Sequence, residues 1–340
     1  MNTYTTSGNA TIYQIPLHEF PKLVGNVYLV LVGKYRVLID TGSGFDKSNE
    51  ELENGLEEIS QLRGEDCSLG TLSHIFITHG HIDHFGGLPY IHLRSQAKIC
   101  IHELDHRIVS NHPERLSVAQ HRIGEFFIEA GLDAEQRQKE LDMYRVTKSL
   151  FRSVDVDLTY EAMKMRLGPF RFIHVPGHCA GHVVIRLHDV LFSGDHILEK
   201  TSPHQAPEQI TLSTGLETYL ESLEKVRPLA KKVRLTLGGH ENPVMDLEKR
   251  INEIRDVHRD RLRLILKILK KPRTILEVSK YLFGRVEGYT VLLAIEETGA
   301  HIEYLYQRGY LQITNMEEIE QNSNSVPILY QCVECEIKNI

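Results

Sequence analysis

Residues 78–87, THGHIDHFGG, constrain this chain more than any other segment, because they place three histidines and an aspartate directly after an apolar run. The run predicts a strand that delivers His79, His81, Asp83 and His84 into one loop. In extended backbone, side chains two positions apart point to the same side, so His79 and His81 can share one ion. Imidazole and carboxylate suit zinc, iron or manganese, and the lack of a nearby cysteine argues against a structural zinc finger. The segment therefore predicts a metal site rather than a polar turn.

Three later apolar runs end in the same kind of side chain. Each run is a predicted strand, and the ends of strands are where sheet proteins collect functional groups. The segments are VPGHCAGH with His178, FSGDHIL with Asp195 and LGGHENPV with His240. Four strand ends are thus predicted to offer histidine or aspartate.

The spacing of strands and helices predicts the fold class. The predicted strands are residues 26–33, 35–40, 74–79, 97–102, 170–175, 182–188, 190–195 and 233–239. Helical patterns at residues 46–62 and 215–226 separate only some of these strands. This order favours an α+β fold with two mixed sheets and helices outside. The charged, helix-patterned stretch 103–165 is interpreted as a helical insertion that caps the strand ends.

The composition changes near residue 250, which predicts a catalytic domain over residues 1–250. Residues 251–314 then show three helical patterns and a strand, which is the order of a winged-helix domain, and residues 315–340 form a C-terminal tail. Cys332 and Cys335 have the spacing of a metal or redox motif, but they stand alone in a strand-like pattern, so they are interpreted as structural.

The third helical pattern of the winged-helix segment bears on nucleic-acid binding. It carries Glu296, Glu297 and Glu303 against Arg308 alone. A helix that reads duplex DNA needs net positive charge toward the phosphates. The segment is therefore interpreted as a packing or dimerisation element of a homodimer rather than a DNA reader.

The composition predicts a cytoplasmic protein with no membrane partner. The net charge of −7 disfavours nucleic acid as a partner, although RNA stays open. Five cysteines are an odd and sparse set, which is typical of reduced thiols. The first residues lack the basic and apolar regions of a secretory signal, and no apolar stretch approaches the ~20 residues of a membrane span.

Taken together, these motifs resemble the metallo-β-lactamase superfamily, in its glyoxalase-like hydrolase branch, over about residues 12–245. The resemblance implies an αββα sandwich with the metals in the cleft between the ends of its sheets. The winged-helix segment resembles that of the mitochondrial lactamase-like endoribonuclease and of related thioesterase-type hydrolases. This extends the resemblance to about residue 314.

The resemblance also implies a role for each motif residue. Zinc is the preferred metal, with iron or manganese as alternatives. The implied ligands of two divalent ions are His79, His81 and His178 for the first, Asp83, His84 and His240 for the second, and Asp195 as the bridge. Asp40, in LIDTG, would support the site from below, and Asp83 would also receive a proton during turnover.

Departures from the family motifs narrow the branch. The bridging position holds Asp195 rather than cysteine, and position 84 holds histidine rather than arginine, which disfavours a true β-lactamase. His81 stands where the flavodiiron relatives have an acidic residue, and Leu198 stands where lactone hydrolases usually have tyrosine. The basic arm of the tRNA-maturing nucleases is missing. Three other histidines near the motifs have open roles: His182 and His196 could orient ligands or lie in the core, and His204 could border a substrate pocket or a surface loop.

The resulting hypothesis is a dinuclear metal-dependent hydrolase in which hydroxide bound to the metals attacks a small carbonyl ester or thioester. Two cations lower the pKa of a shared water from 15.7 towards ~7, so no serine or cysteine nucleophile is required. The alternatives are a single-strand endoribonuclease, a sulfur dioxygenase with one iron held by His79, His81, His178 and Asp195, and a non-enzymatic DNA-reading regulator.

Overall fold

The computed structural model describes residues 1–21, 23–149 and 151–333 and shows a mixed α+β fold. Its contacts group the chain into two compact units. The first unit comprises Met1–Arg115, Leu150–Pro203 and Ser222–Ile251. The second comprises Leu116–Ser149, His204–Glu221 and Asn252–Ile340. The sequence predicts consecutive domains that meet at residue 250, whereas each unit draws on three separate stretches of chain.

The first unit contains two sheets. The seven-stranded sheet runs in chain order through β1 (Asn2–Thr5), β2 (Thr11–Phe20), β3 (Leu23–Val32), β4 (Tyr35–Ile39), β5 (His74–Phe76), β6 (Lys98–Ile101) and β7 (Leu158–Thr159). The five-stranded sheet has the order β12 (Leu235–Gly238), β11 (Val190–Gly194), β10 (Val183–Leu187), β9 (Phe170–His174) and β8 (Arg166–Leu167). Pairing is antiparallel from β1 to β4 and parallel from β4 to β7. Two mixed sheets are present, as the sequence predicts.

Helices form about half of the remaining described chain. They are α1 (Ser48–Arg63), α2 (Ile82–Phe85), α3 (Leu88–His92), α4 (Glu103–Ser110), α5 (His112–Glu129), α6 (Ala134–Ser149), α7 (Leu216–Val226), α8 (Leu247–Ile268), α9 (Ile275–Phe283), α10 (Thr290–Gln307) and α11 (Met316–Gln321). Within the described ranges, every helix is too short or too polar to cross a membrane.

The core of the first unit follows from side chains that alternate along the strands. In β5, Ile75 joins an apolar cluster with α1 residues such as Leu56, whereas its neighbour Phe76 joins a second cluster. That second cluster combines residues of the seven-stranded sheet with Phe172 and Ile185 of the five-stranded sheet. The two sheets therefore pack face to face, with α1 on the outer side of the larger one.

The predicted strands and helices are confirmed, but the short strands β1 and β8 are not among the predicted strands, and three larger differences are also present. The long β2 has no counterpart among the predicted strands. The helices of the predicted insertion 103–165 end at Ser149, and Leu158–Thr159 then adds a strand beside β6. Residues 316–321, within the predicted linker, form the helix α11.

The second unit is built from helices around its own apolar cluster. Phe126 and Phe127 of α5 share this cluster with Leu262 and Ile265 of α8. Thr274 and Glu277 form a reciprocal capping box that starts α9. After α10, β13 (Leu311–Ile313) pairs antiparallel with β14 (Tyr330–Cys332). Three helices and a strand thus occur in the predicted order, and a winged-helix geometry stays a prediction.

The cysteines of the described residues form no disulfide. Cys67, Cys100 and Cys179 are buried, and Cys332 is partly buried at the end of β14. Cys335 lies outside the described residues, so the structural role predicted for the pair is open.

Phe76 provides a test of the core between the sheets. Its ring is fully buried, and its centroid lies 5.1 Å from those of Phe170 and Phe172 on the other sheet. We expect Phe76→Ala to lower the free energy of unfolding by about 3–5 kcal/mol, because the cavity removes these edge contacts. Urea denaturation measures the change. The control is Phe45→Ala, whose ring is 41% exposed and for which we expect under about 1 kcal/mol. Equal changes in the two variants would contradict this packing.

Candidate metal centre

The segment after β5 folds into a tight loop that carries four polar side chains, His79, His81, Asp83 and His84. His79 and His81 follow the strand in succession, and the backbone at His81 is extended. The four-residue helix α2 begins immediately afterwards and carries Asp83 and His84. His79 and His84 are buried, whereas His81 and Asp83 are partly exposed. Extended backbone followed by a helical turn therefore brings the four side chains close together, and the ring centroids of His79 and His84 lie 4.0 Å apart.

The first group of converging side chains is His79, His81 and His178. One ligand atom from each lies within 4.8 Å of the others. The His79 Nε2 atom is 3.1 Å from His81 Nδ1. His178 enters from the loop between β9 and β10 of the five-stranded sheet. Neighbouring strand ends of the two sheets thus supply one three-histidine group.

The second group is Asp83, His84 and His240, which also lie within 4.8 Å of one another. His240 Nε2 is 3.4 Å from Asp83 Oδ2 and 3.4 Å from Asp195 Oδ2. The other oxygen of Asp195 lies 3.5 Å from His84 Nε2, and Asp195 Oδ2 is 3.8 Å from His178 Nε2. The Asp195 carboxylate therefore lies between the two groups, and all seven predicted ligands are brought together.

Three observations show that these residues fit metal ions. Among the described residues, the buried atoms His84 Nε2 and Asp195 Oδ1 have no hydrogen-bond partner. Buried polar atoms are rarely left in this state unless a water or an ion completes them. A side chain at Gly239 would lie 2.5 Å from both Asp195 and His84, so glycine keeps this space open. Imidazole and carboxylate donors are those of zinc, iron and manganese sites.

Asp40 fixes the orientation of the loop from below. Its Oδ1 accepts a hydrogen bond from the Thr78 backbone N–H at 2.7 Å, and its Oδ2 accepts from the Thr78 hydroxyl at 2.8 Å. The same Oδ2 lies 2.9 Å from His84 Nδ1. An Nδ1–H donor on His84 leaves its Nε2 lone pair for an ion. Asp40 itself has a φ of 58°, a left-handed backbone that aspartate tolerates better than most residues.

Two further histidines occupy positions beside the ligands. His182 is fully buried, and its Nε2 accepts a hydrogen bond from the Asp195 backbone N–H at 3.1 Å. Its ring also stacks on that of His79, with centroids 4.5 Å apart. The ring of His196 lies 5.9 Å from that of His182, and burial lowers the pKa of His196 to about 3. His182 thus contacts two of the seven residues, Asp195 through its backbone and His79 through its ring, whereas His196 is a neutral core residue.

The charges of the site are complementary. Burial favours the neutral forms, yet the charges of His240 and His84 hold the pKa of Asp195 well below its usual value. The pKa of Asp83 is also lowered, because His84 and His240 outweigh its burial. Burial lowers the pKa of His79 well below its usual value, which keeps its imidazole neutral. By contrast, although burial opposes it, the charge of Asp195 raises the pKa values of His84 and His240 above their usual value. Metal binding requires neutral imidazole, so these two histidines must each release a proton when an ion binds.

His204 lies elsewhere, in the second unit. Its Nε2 is 3.0 Å from Glu296 Oε2, and its Nδ1 is 3.5 Å from Glu297 Oε2, both on α10. The Glu297 carboxylate also accepts from the Gln205 backbone N–H at 2.7 Å and pairs with Arg261 at 2.6 Å. These bonds attach the segment around residue 204 to α10. A contact of His204 with substrate stays a prediction.

Sequence reasoning missed a buried group on α8 and α10. His258, Glu297 and His301 converge within 4.8 Å, and His258 Nδ1 is 3.0 Å from His301 Nε2. The four-residue spacing of Glu297 and His301 is the signal that could have revealed it. His301 Nδ1 donates to the Glu297 carbonyl at 2.7 Å, and Arg261 neutralises the carboxylate. A hydrogen-bonded core network therefore explains this group better than a cation would.

Asp40 can be tested through metal affinity. In Asp40→Asn, an amide NH₂ replaces one oxygen and can no longer accept from His84 Nδ1, so His84 is expected to change tautomer. We expect affinity for Zn²⁺ to fall by about 10- to 100-fold, as measured by competition with a chromogenic chelator. The control is Asp189→Asn, because Asp189 also accepts a backbone N–H, from Ser7 at 2.7 Å, but lies at the β10–β11 turn. Unchanged affinity in Asp40→Asn would exclude the orienting role.

The raised pKa of His204 predicts that the free energy of unfolding depends on pH. Although burial opposes it, the hydrogen bond to Glu296 and the charge of Glu297 raise the pKa of His204 above its usual 6.5. A raised folded-state pKa stabilises the protein below pH 6.5, and this contribution is lost as pH rises through the folded pKa. We expect His204→Asn to lower the free energy of unfolding more at pH 5.5 than at pH 9, measured by urea denaturation. The exposed His121 gives the control, His121→Asn, which should show no such difference.

A family model described as the metallo-beta-lactamase superfamily matches residues 21–240. Among individual relatives, the lactamase-like protein adaB of Aspergillus niger is 26% identical over 73% of this chain and 59% of its own length. The atrochrysone carboxyl ACP thioesterase of Claviceps purpurea is 27% identical over 51% of this chain and 40% of its own length. The chain thus spans about half the length of these fungal relatives. The beta-lactamase-like protein 2 homolog of Caenorhabditis elegans is 25% identical over 86% of this chain and 82% of its own length.

Solved structures give the same result. The crystal structure of a metallo-beta-lactamase family protein from Thermus thermophilus is 26% identical, with a TM-score of 0.73 over 94% of this chain and 98% of that chain. A beta-lactamase domain protein from Burkholderia ambifaria has the same fold, with a TM-score of 0.70 at 20% identity. The converging histidines and aspartates, the two packed sheets and the match over residues 21–240 lead to one conclusion. This chain belongs to the metallo-β-lactamase superfamily.

Proposed function

We propose that this chain is a dinuclear metal-dependent hydrolase of a small carbonyl ester or thioester, with zinc as the preferred metal and iron or manganese as alternatives. The observation that carries the proposal is the position of Asp195, whose carboxylate lies within 3.4–3.8 Å of ligand atoms from both groups. A carboxylate in this position could contribute an oxygen to an ion in each of the two groups. Bound ions supply a Lewis acid and lower the pKa of a coordinated water.

The residues of the site have separate proposed roles in metal binding and proton transfer. Asp195 and the three-histidine group hold one side of the site, and Asp83, His84 and His240 hold the other. The side chain of Asp83 is 17% exposed, against 12% for Asp195 and 4% for Asp40, so Asp83 is the carboxylate that substrate reaches most readily. Its lowered pKa keeps it anionic at neutral pH but makes it a weaker base, so the assignment rests on its exposure and its position between the ligands. Asp83 is therefore the proposed proton acceptor.

The substrate class rests on the relatives and on charge. Two fungal relatives are named atrochrysone carboxyl ACP thioesterases, whose name describes cleavage of an acyl thioester. Net charge is −7, which disfavours a polyanionic substrate. A thioester carbonyl also suits a site that stabilises developing negative charge at oxygen. A cytoplasmic location and a homodimer belong to the same proposal.

The endoribonuclease remains the alternative function, because two acidic residues that seemed to oppose nucleic-acid binding are buried. The acidic residues Glu296 and Glu297 of α10 are buried and paired with His204 and Arg261. They therefore present no negative surface, and their count along the sequence is no argument against nucleic acid. By contrast, the dioxygenase alternative uses one iron and leaves the group of Asp83, His84 and His240 without a role.

The test compares two substrates with the metal-loaded protein: an acyl thioester and a labelled single-stranded RNA. We expect thioester turnover, and a fall of about 100-fold or more in Asp195→Asn, because a neutral amide would bind either ion more weakly than the carboxylate does. Asp189→Asn, at the remote β10–β11 turn, is the matched control and should keep full activity. Metal-dependent cleavage of the RNA alone would instead establish the nuclease. Equal turnover in wild type and Asp195→Asn would overturn the proposed site.

A further inference from the structure

Asp105 is a buried carboxylate that none of the proposed chemistry uses. It lies in the first turn of α4, and its exposed fraction is 0%. Its Oδ2 accepts a hydrogen bond from the Gly80 backbone N–H at 2.8 Å. Its Oδ1 accepts from the Gly181 backbone N–H at 2.9 Å. The thiol of Cys179 lies 3.3 Å from Oδ2 and is a third donor.

These three donors belong to the two loops that supply the three-histidine group. Gly80 lies between His79 and His81, and Cys179 and Gly181 lie between His178 and His182. The first loop follows β5 of the seven-stranded sheet, and the second joins β9 to β10 of the five-stranded sheet. One side chain on α4 therefore connects loops from both sheets at the positions next to their histidines.

The local sequence is adapted to this approach. A Cβ atom at Gly181 would lie 2.5 Å from the Asp105 carboxyl carbon, and one at Gly80 would lie 3.1 Å from it. Glycine at both positions lets the carboxylate reach the backbone N–H groups directly. Hydrogen bonds to an ionised carboxylate are shorter and stronger than neutral ones, and burial makes the loss of either partner costly.

We propose that Asp105 is a positioning residue, which holds the His79–His81 loop and the His178 loop at the separation that metal binding needs. This inference rests on the proposed function only in requiring that the three histidines bind a metal. Asp105 contacts none of the three imidazoles in the hydrogen bonds described, so it acts through the backbone. A carboxylate suits this role because it offers acceptors in two directions at once.

The first variant is Asp105→Asn. Its amide has one acceptor oxygen, and its NH₂ group faces a backbone N–H, so one of the two loops is released. We expect affinity for Co²⁺ to fall by about 10- to 100-fold, measured by chelator competition, with a changed visible spectrum of the bound Co²⁺. The rise in Tm that saturating metal gives should shrink accordingly, because ligand stabilisation follows affinity.

The matched control is Asp157→Asn. Asp157 also accepts a backbone N–H, from Ile99 at 2.9 Å on β6, and pairs with Lys98 at 2.7 Å. It therefore holds backbone in the same unit without touching either metal loop. We expect this variant to lower the Tm of the metal-free protein and to leave Co²⁺ affinity and the spectrum unchanged. A residue with a merely structural role would behave in the same way.

A second variant protects the test against loss of folding in Asp105→Asn. Gly181→Ala keeps every carboxylate and histidine but places a methyl group where the Asp105 carboxylate lies. We expect it to reproduce the fall in Co²⁺ affinity. Its control is Gly124→Ala on α5, where a Cβ atom would make only an ordinary contact at 3.6 Å with Leu141.

The outcomes separate this inference from the proposed function. Wild-type affinity and spectrum in Asp105→Asn or in Gly181→Ala would overturn the positioning role alone. Reduced affinity in both variants supports it, whichever substrate the enzyme cleaves. A wild-type protein that binds no divalent metal would overturn both proposals.

Discussion

The hydrogen bonds of Asp40 are the constraint on which the site depends. Its carboxylate is almost fully buried, and a charge in that position is stable only when its oxygens are satisfied. The backbone and hydroxyl of Thr78, together with His84, provide the partners. Because Asp40 is buried, the loop after β5 must adopt the conformation that supplies these hydrogen bonds. In that conformation, the contact with Asp40 Oδ2 places the proton of His84 on Nδ1. Stability and ligand orientation arise from the same bonds.

Other parts of the site are held in a similar way by groups outside the metal-binding set. The Val24 carbonyl lies 2.8 Å from His240 Nδ1, the ring of His182 accepts from the backbone of Asp195, and Asp105 ties two loops together. Such partners keep a ligand in one orientation before the ion arrives, so less conformational entropy is lost on binding. Groups outside the metal-binding set therefore orient these parts of the site.

The sequence predicts the metal centre better than it predicts what surrounds it. The seven converging residues follow strand ends, so a local pattern of apolar runs and histidines identifies them. Asp105 could not be found this way, because its partners are backbone N–H groups 25 and 76 residues away. The burial of Glu296 and Glu297 likewise depends on His204 and Arg261, which are distant in sequence. Local patterns report composition and period, whereas burial and pairing are tertiary properties.

The makeup of the second unit also bears on how the chain can be divided. Phe126 and Phe127 of α5 pack with Leu262 and Ile265 of α8, so two stretches about 140 residues apart share one core. A chain cut near residue 250 would leave the apolar face of α5 without these partners. During synthesis, the apolar face of α5 stays uncovered until the last third of the polypeptide has been made. In that interval it can bind chaperones or aggregate. Deletion of the C-terminal helices would therefore also require replacement of the apolar residues on α5.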